Sequence, residues 1–526
     1  MSITSLNFIA FLVVLTLLYY VIPRRFQWPL LLAGSIYFYV QAGWKAVVFV
    51  LTTAILTYAA ALWMERENNA SKNAVSKMDS RDKKAEERER NKKHKRHFFI
   101  LFCIVIFGIW AVVKYSSMVL ATVQGLFPQA DLSRAFAAAD SFIVPLGISF
   151  YTFNAAGYVI DVSRRKYPAE KNFLKVLLYI IFFPHIIQGP FSRYDRLGKT
   201  LFQQHYFDYD RMAHGMARIL YGYFQKLLIA DKLSPTVTQV MQNPGEYGSA
   251  ALFVAVIGYG IQLYCDFSGY MNIMTGFCEV LGITLEENFA QPYFSTSIQN
   301  YWTRWHITLG HWYSDYVFYP CSMGKIAQKI GRKARERFGA RMGKLLPSYF
   351  SMIFVWTLTG LWHGASWTFV VWGWLNFAII VFSMQADLFY TRIKELLHIN
   401  DKCAAWRIVM IVRTFVLVSL LRIFYCSNTV AGALRYISLM FRPGWGQLAH
   451  PVNLLLTAWA DQKITLAYIL FGTAVVFCVD LVHERNIRIR VPAFLRGLGY
   501  GFLFCLILIG AGQGNGGAGG FMYAQF

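Results

Sequence analysis

Charge is what this chain has least of for its length. Of 526 residues, 15% are charged and 56% hydrophobic, too little polar surface for a soluble protein of this size. The apolar runs are continuous rather than alternating. That excludes a β-barrel and leaves helices, which satisfy their own backbone in lipid. Ordered cysteine spacing is also missing: the eight cysteines are scattered, with no CxxC or Cys/His ligand pattern, so neither a disulfide framework nor a zinc site is indicated. No HExxH, GxSxG elbow, phosphate-binding loop or dinucleotide glycine fingerprint stands in a credible context. His306 and His311 lack the i, i+4 spacing of a helical metal pair, so no metal is expected.

What charge there is sums to +23. It clusters in loops beside apolar runs, which points to membrane topology and anionic lipid partners and away from nucleic acid. Residues 8–21 carry no basic residue in front and Arg24-Arg25 behind. That is the reverse of a cleaved leader and predicts a retained helix with its N-terminus outside. Spans are expected near 6–22, 27–41, 44–63, 97–116, 141–161, 211–230, 250–282, 348–362, 366–385, 405–424, 464–482 and 495–510. Glycines predict a break within 250–282, and Pro184, Gly189 and Pro190 predict a re-entrant or broken helix over 173–191. The fold class is an all-α polytopic membrane protein, a single domain of roughly 10–13 spanning helices with re-entrant and interfacial helices. Charged residues 65–96, suited to a solvated helix or hairpin, and the basic loop 325–344 are expected in the cytoplasm. After the glycine-rich stretch 510–520, the aromatic end 521–526 either docks on the bundle or frays.

The residues that can carry chemistry are few. His363 lies in a stretch, 350–377, without Asp, Glu, Lys or Arg. A titratable ring there is costly unless it faces the protein interior or a water-filled cavity, and its free pKa suits proton exchange near neutrality. Gly360 and Gly364 bracket it and allow a close approach. Asp266, among aromatics and small residues, is a second embedded polar candidate. Residues 288–320 are too polar to span and too aromatic for an ordinary loop, and read as an interfacial helix. On such a helix Trp302 and Trp305 share a face with His306. Arg304 looks elsewhere, able to grip a phosphate or carboxylate.

Leu361-WHGAS-Trp367 followed by Val371-WG-Trp374 resembles the signature of the membrane-bound O-acyltransferases, and more narrowly the bacterial alginate O-acetyltransferase branch. Similar segments follow the same order: Val144-PLGISFYTFNAAGYVIDVS-Arg164, Phe183-PHIIQGPFSR-Tyr194, Tyr264-CDFSG-Tyr270, Glu287-NFAQP-Tyr293, Tyr301-WTRWHIT-Leu309 and the closing Phe521-MYAQ-Phe526. Tyr319-PCSM-Gly324 departs from the family's usual turn. The resemblance implies catalytic His363 and His306 around a tunnel, with Trp302, Arg304, Trp305, Asp315, Asp266 and Trp362 as substrate-binding candidates. It implies an acyl thioester donor, acetyl-CoA or an acyl carrier protein, as substrate rather than a bound cofactor. The acceptor would be a hydroxyl of a polysaccharide, or of a secreted acyltransferase- or esterase-like partner, on the outer side of a bacterial plasma membrane. D-alanyl transfer to teichoic acid is the sister reading. A transporter or flippase of a lipid-linked sugar, relaying protons through His363 and Asp266, is the reading of another class.

Overall fold

Backbone polar groups have no partner in hydrocarbon except one another, so long apolar runs become helices. The computed structural model of the protein describes residues 2–41, 43–142, 144–442 and 463–512 and places a helix over each expected span, with shifted bounds. Eight of the described helices are long and apolar enough to cross a membrane, and Leu6–Val21 and Val430–Met440 are shorter apolar helices. The chain is an all-α, multi-pass membrane protein. The aromatic end 521–526 lies outside the described residues.

The described residues form two compact units, Met1–Met216 with Met274–Glu286, and Ala217–Ile273 with Glu287–Phe526. In the first unit, the charged residues near 65–96 form a helical hairpin, as their mixed charge suggested. Trp44–Ser76 turns at 77–80 into Arg81–Leu126. The two arms are tied by Asn91 Nδ2 donating to Glu67 O at 3.0 Å and Lys95 Nζ to Asn68 Oδ1 at 2.7 Å. The expected break near Pro184 is present, with helix Phe173–Ile181 ending before the short helix Phe183–Ile186. Gly189 folds back so tightly that a Cβ there would lie 2.1 Å from the His185 Cα.

In the second unit three expectations are corrected. The glycines of Ser249–Val280 do not break it; the helix is continuous over 32 residues. Its Gly269 faces Gly222, where a Cβ on either residue would stand within 2.9 Å of the opposite carbonyl oxygen, so here glycine serves close helix packing. The basic stretch 325–344 is not a loop. It is helical within Lys325–His363, kinked where Gly339 takes φ 84°. Residues 288–320 are not one interfacial helix either. The chain runs irregularly to helix Ile298–Trp302, turns, and resumes as Ile307–Tyr313.

Candidate active site

His306 sits where the chain cannot be helical. Residues 288–290 run back against 304–307: Ala290 N–H donates to Arg304 O at 3.0 Å and Ile307 N–H to Asn288 O at 3.1 Å, with Phe289 and Trp305 in an isolated antiparallel bridge. The buried Asn288 carboxamide oxygen also accepts from Thr308 N–H (3.1 Å) and Oγ1 (2.6 Å). This clamp starts the helix Ile307–Tyr313 and holds His306 at φ 50°, ψ 51°. Left-handed backbone on a non-glycine residue costs on the order of 1 kcal/mol or more and persists only where its surroundings over-determine it. Trp302, Trp305 and His306 therefore share no helical face. The His306 ring is 4% exposed and lies edge-on to Phe267, 4.9 Å between centroids. Burial pulls its imidazole down to about 3, so it is neutral at physiological pH.

His363 ends the helix Lys325–His363, and Gly364 leaves it in extended backbone. Ser366 then caps helix Trp367–Gln385 by accepting from Thr368 N–H. These two helices touch backbone to backbone. A Cβ on Gly373 would stand 2.3 Å from Trp356 O, and one on Gly360 2.5 Å from Phe369 O. The space cleared by the glycines is thus filled by the next helix. It delivers Trp372, 5.1 Å from the His363 ring. Helix Ala404–Cys426 supplies Tyr425, whose hydroxyl meets His363 Nδ1 at 3.3 Å. Trp362 stands between the histidines, its ring 4.8 Å from His363 and 5.5 Å from His306.

Both histidines line one cavity of about 350 Å3, together with Trp302, Trp305, His311 and Thr359. One turn before Tyr425, the buried Arg422 donates to the hydroxyls of Tyr293 (2.8 Å) and Tyr301 (2.6 Å) and lies 4.8 Å over the Trp305 ring. A single helix therefore braces the His306 turn through Arg422 and His363 through Tyr425. The sequence reading missed both residues. An arginine inside an apolar run is a functional candidate by default, so the signal for Arg422 was available.

The other candidates divide. Trp302 lines the cavity and donates from Nε1 to Asn376 Oδ1 at 3.2 Å. Arg304 points away, bonded to Glu484 Oε2 at 2.6 Å; Arg407 takes the other carboxylate oxygen at 2.8 Å. Asp266 does not line the cavity. It accepts from Lys226 Nζ at 2.6 Å, and Lys226 also reaches Asp231 Oδ1 at 2.8 Å. Asp315 is half-buried on the turn Ser314–Phe318, whose end residues line the cavity though Asp315 does not.

The polytopic bundle thus buries two histidines against one aromatic cavity. Residues 162–333 match the MBOAT, membrane-bound O-acyltransferase family. The match includes His306 and stops short of His363. The chain is 36% identical to the probable alginate O-acetylase AlgI of Azotobacter vinelandii over 44% of this chain and 42% of that protein. It is 31% identical to the protein of that name from Pseudomonas syringae pv. tomato, over 62% and 57%. To the teichoic acid D-alanyltransferase of Bacillus subtilis it is 28% identical over 43% and 56%. The alignments thus span about half the length of these relatives.

Proposed function

We propose that the protein is an O-acyltransferase that moves an acetyl group from a cytosolic thioester to a hydroxyl of an envelope or extracellular polysaccharide on the outer side. The observation that carries this reading is the cavity that His306 and His363 share. Relatives named alginate O-acetylase support the acetyl group and the polymer. The acceptor hydroxyl oxygen forms an ester bond to the acyl carbon, the carbon–sulfur bond breaks, and the hydroxyl proton passes to His363 and on to the departing thiolate. With Nδ1–H donating to the Tyr425 oxygen, Nε2 keeps the lone pair that takes that proton. His306, neutral by burial, supplies a hydrogen bond rather than a charge. Acetyl-CoA or an acyl carrier protein is the donor, and the acceptor hydroxyl belongs to the polysaccharide or to a secreted acyltransferase- or esterase-like partner that passes the group onward.

D-alanyl transfer is the second reading, favoured by the similarity to the teichoic acid enzyme. Cells carrying wild type or His363→Gln, fed labelled acetate or labelled D-alanine, separate the two. Acetate in surface polymer that disappears in the variant supports the proposal. D-alanine incorporation in its place supports the sister reading, and unchanged labelling in the variant removes His363 from the chemistry.

A further inference from the structure

Between helices Leu6–Val21 and Gln27–Val40 the chain turns through Pro23 and the short helix Arg24–Phe26. This turn is one wall of a polar cavity of about 600 Å3, and residues 204–207 are the other. The walls are bolted together by Gln27, a buried side chain that uses both ends of its amide. Its Nε2 donates to Tyr19 O (3.2 Å) and His205 O (3.0 Å), and its Oε1 accepts from His205 N–H (2.8 Å). Arg211 adds a brace by donating from Nη2 to Tyr206 O at 2.6 Å. The His205 ring is held by Thr200 O at 2.7 Å and rests against Gly282, where a Cβ would stand 2.5 Å from Nδ1. The cavity is therefore formed in advance of any ligand.

Its charge is of one sign. Arg24 and Arg25 both line it, and neither has a carboxylate at ion-pair distance among the described residues. Arg24 lies flat on the Tyr206 ring, 3.6 Å from its centroid, which orients the guanidinium fork. Of the acids that follow in the chain, Asp208 accepts from the Arg211 N–H and Asp210 lies in the first turn of helix Tyr209–Tyr223. Two guanidinium groups, backed by Arg211, select an anion with several acceptor oxygens, and phosphate matches the fork.

The rim tells which phosphate. Val21 and Phe207 both line the cavity and are 80% and 59% exposed, and Val21 follows the exposed Leu17 and Leu18 in helix Leu6–Val21. A soluble anion leaves that apolar rim bare, whereas a lipid covers it with its chains. We propose that this cavity binds the phosphate of an anionic membrane lipid, headgroup between Arg24, Arg25 and residues 204–207, with its chains along Leu6–Val21. The site shares no lining residue with the histidine cavity and stands whether or not the acyl-transfer reading does.

Native mass spectrometry of the full-length protein in detergent tests this, titrated with phosphatidylglycerol, with phosphatidylcholine, or with inorganic phosphate. The Arg24→Gln/Arg25→Gln variant should bind phosphatidylglycerol about 30-fold more weakly, while Lys92→Gln/Lys93→Gln on the charged hairpin should stay within about twofold of the parent. Phe207→Ser, which spares the charges, should weaken lipid but not phosphate binding; it carries the test if the arginine variant fails to fold. Equal lipid binding by the arginine variant and the parent overturns the proposal. So does inorganic phosphate displacing the lipid at matched concentration, which makes the cavity a free-anion site.

Discussion

The group that touches Nδ1 of His363 is a neighbour that no motif names. Tyr425 meets Nδ1 at 3.3 Å, so replacing His363 and replacing Tyr425 should have different signatures. His363→Gln should lower acyl transfer by about 10²–10⁴, the range of lost general-base work. Tyr425→Phe removes one orienting hydrogen bond of about 1 kcal/mol, so kcat should fall about fivefold with KM unchanged. A variant that raises KM alone places Tyr425 in substrate binding instead. His306 offers a pH test. Its folded value is lowered to about 3 from an unfolded value of about 6.5. Below about pH 6.5 the unfolded chain binds a proton that the folded one refuses, so its contribution is complete above that pH and is lost as pH falls toward 3. His185, which burial lowers to about 4, acts in the same direction. Thermal unfolding in detergent at pH 7 and pH 5 should therefore show a smaller acid loss in His306→Gln, with His185 among the groups that supply the remainder. An identical loss in variant and parent would show that His306 is protonated in the fold.

At the scale of elements, periodicity and composition located the helices but misjudged what breaks them. Residues 288–320 look helical because Trp302, Trp305 and His306 are correctly spaced, yet a pairing with residues 288–290 overrides that local preference. The override is long-range, carried by Asn288 on Thr308, and is invisible in any short window. The proline-bearing break at 182–183 was legible because Pro184 acts locally. Glycine misled in the opposite sense in Ser249–Val280, where it marks contact rather than interruption; at Gly360 a close approach was expected, and helix Trp367–Gln385 makes it. Gly373→Ala forces a Cβ to 2.3 Å from Trp356 O and should cost about 1–3 kcal/mol. Gly108→Ala, in open space on its helix, should be neutral or stabilising by up to about 1 kcal/mol. Thermal unfolding of the pair checks both signs. The buried Lys226–Asp266 pair, 2% and 1% exposed, was half legible: Asp266 stood out, its partner did not. Lys226→Met alone leaves a buried carboxylate uncompensated and should cost about 3–5 kcal/mol, much of which Lys226→Met/Asp266→Leu should recover.

For the whole molecule, a parity argument predicts the orientation and survives what the structure changed. Leu6–Val21 and Gln27–Val40 have 16 and 14 residues, or about 24 and 21 Å at 1.5 Å per residue, short of the ~30 Å hydrocarbon core. Whether this pair crosses or dips in and returns, it makes an even number of crossings, so Trp44 lies on the same side as the N-terminus. Helix Trp44–Ser76 then crosses once. The tip of the charged hairpin at 77–80 is then predicted on the opposite face, and the positive-inside rule predicts that its basic flank, ending at Lys92, Lys93, Lys95 and Arg96, faces the cytoplasm. In a background with the native cysteines replaced, Ser80→Cys should react with an impermeant maleimide only after cells are permeabilised. Ser2→Cys should react in intact cells. Labelling of Ser80→Cys in intact cells would invert the orientation. It would also turn the proposed transfer around, with the thioester entering from the face where the basic residues are not.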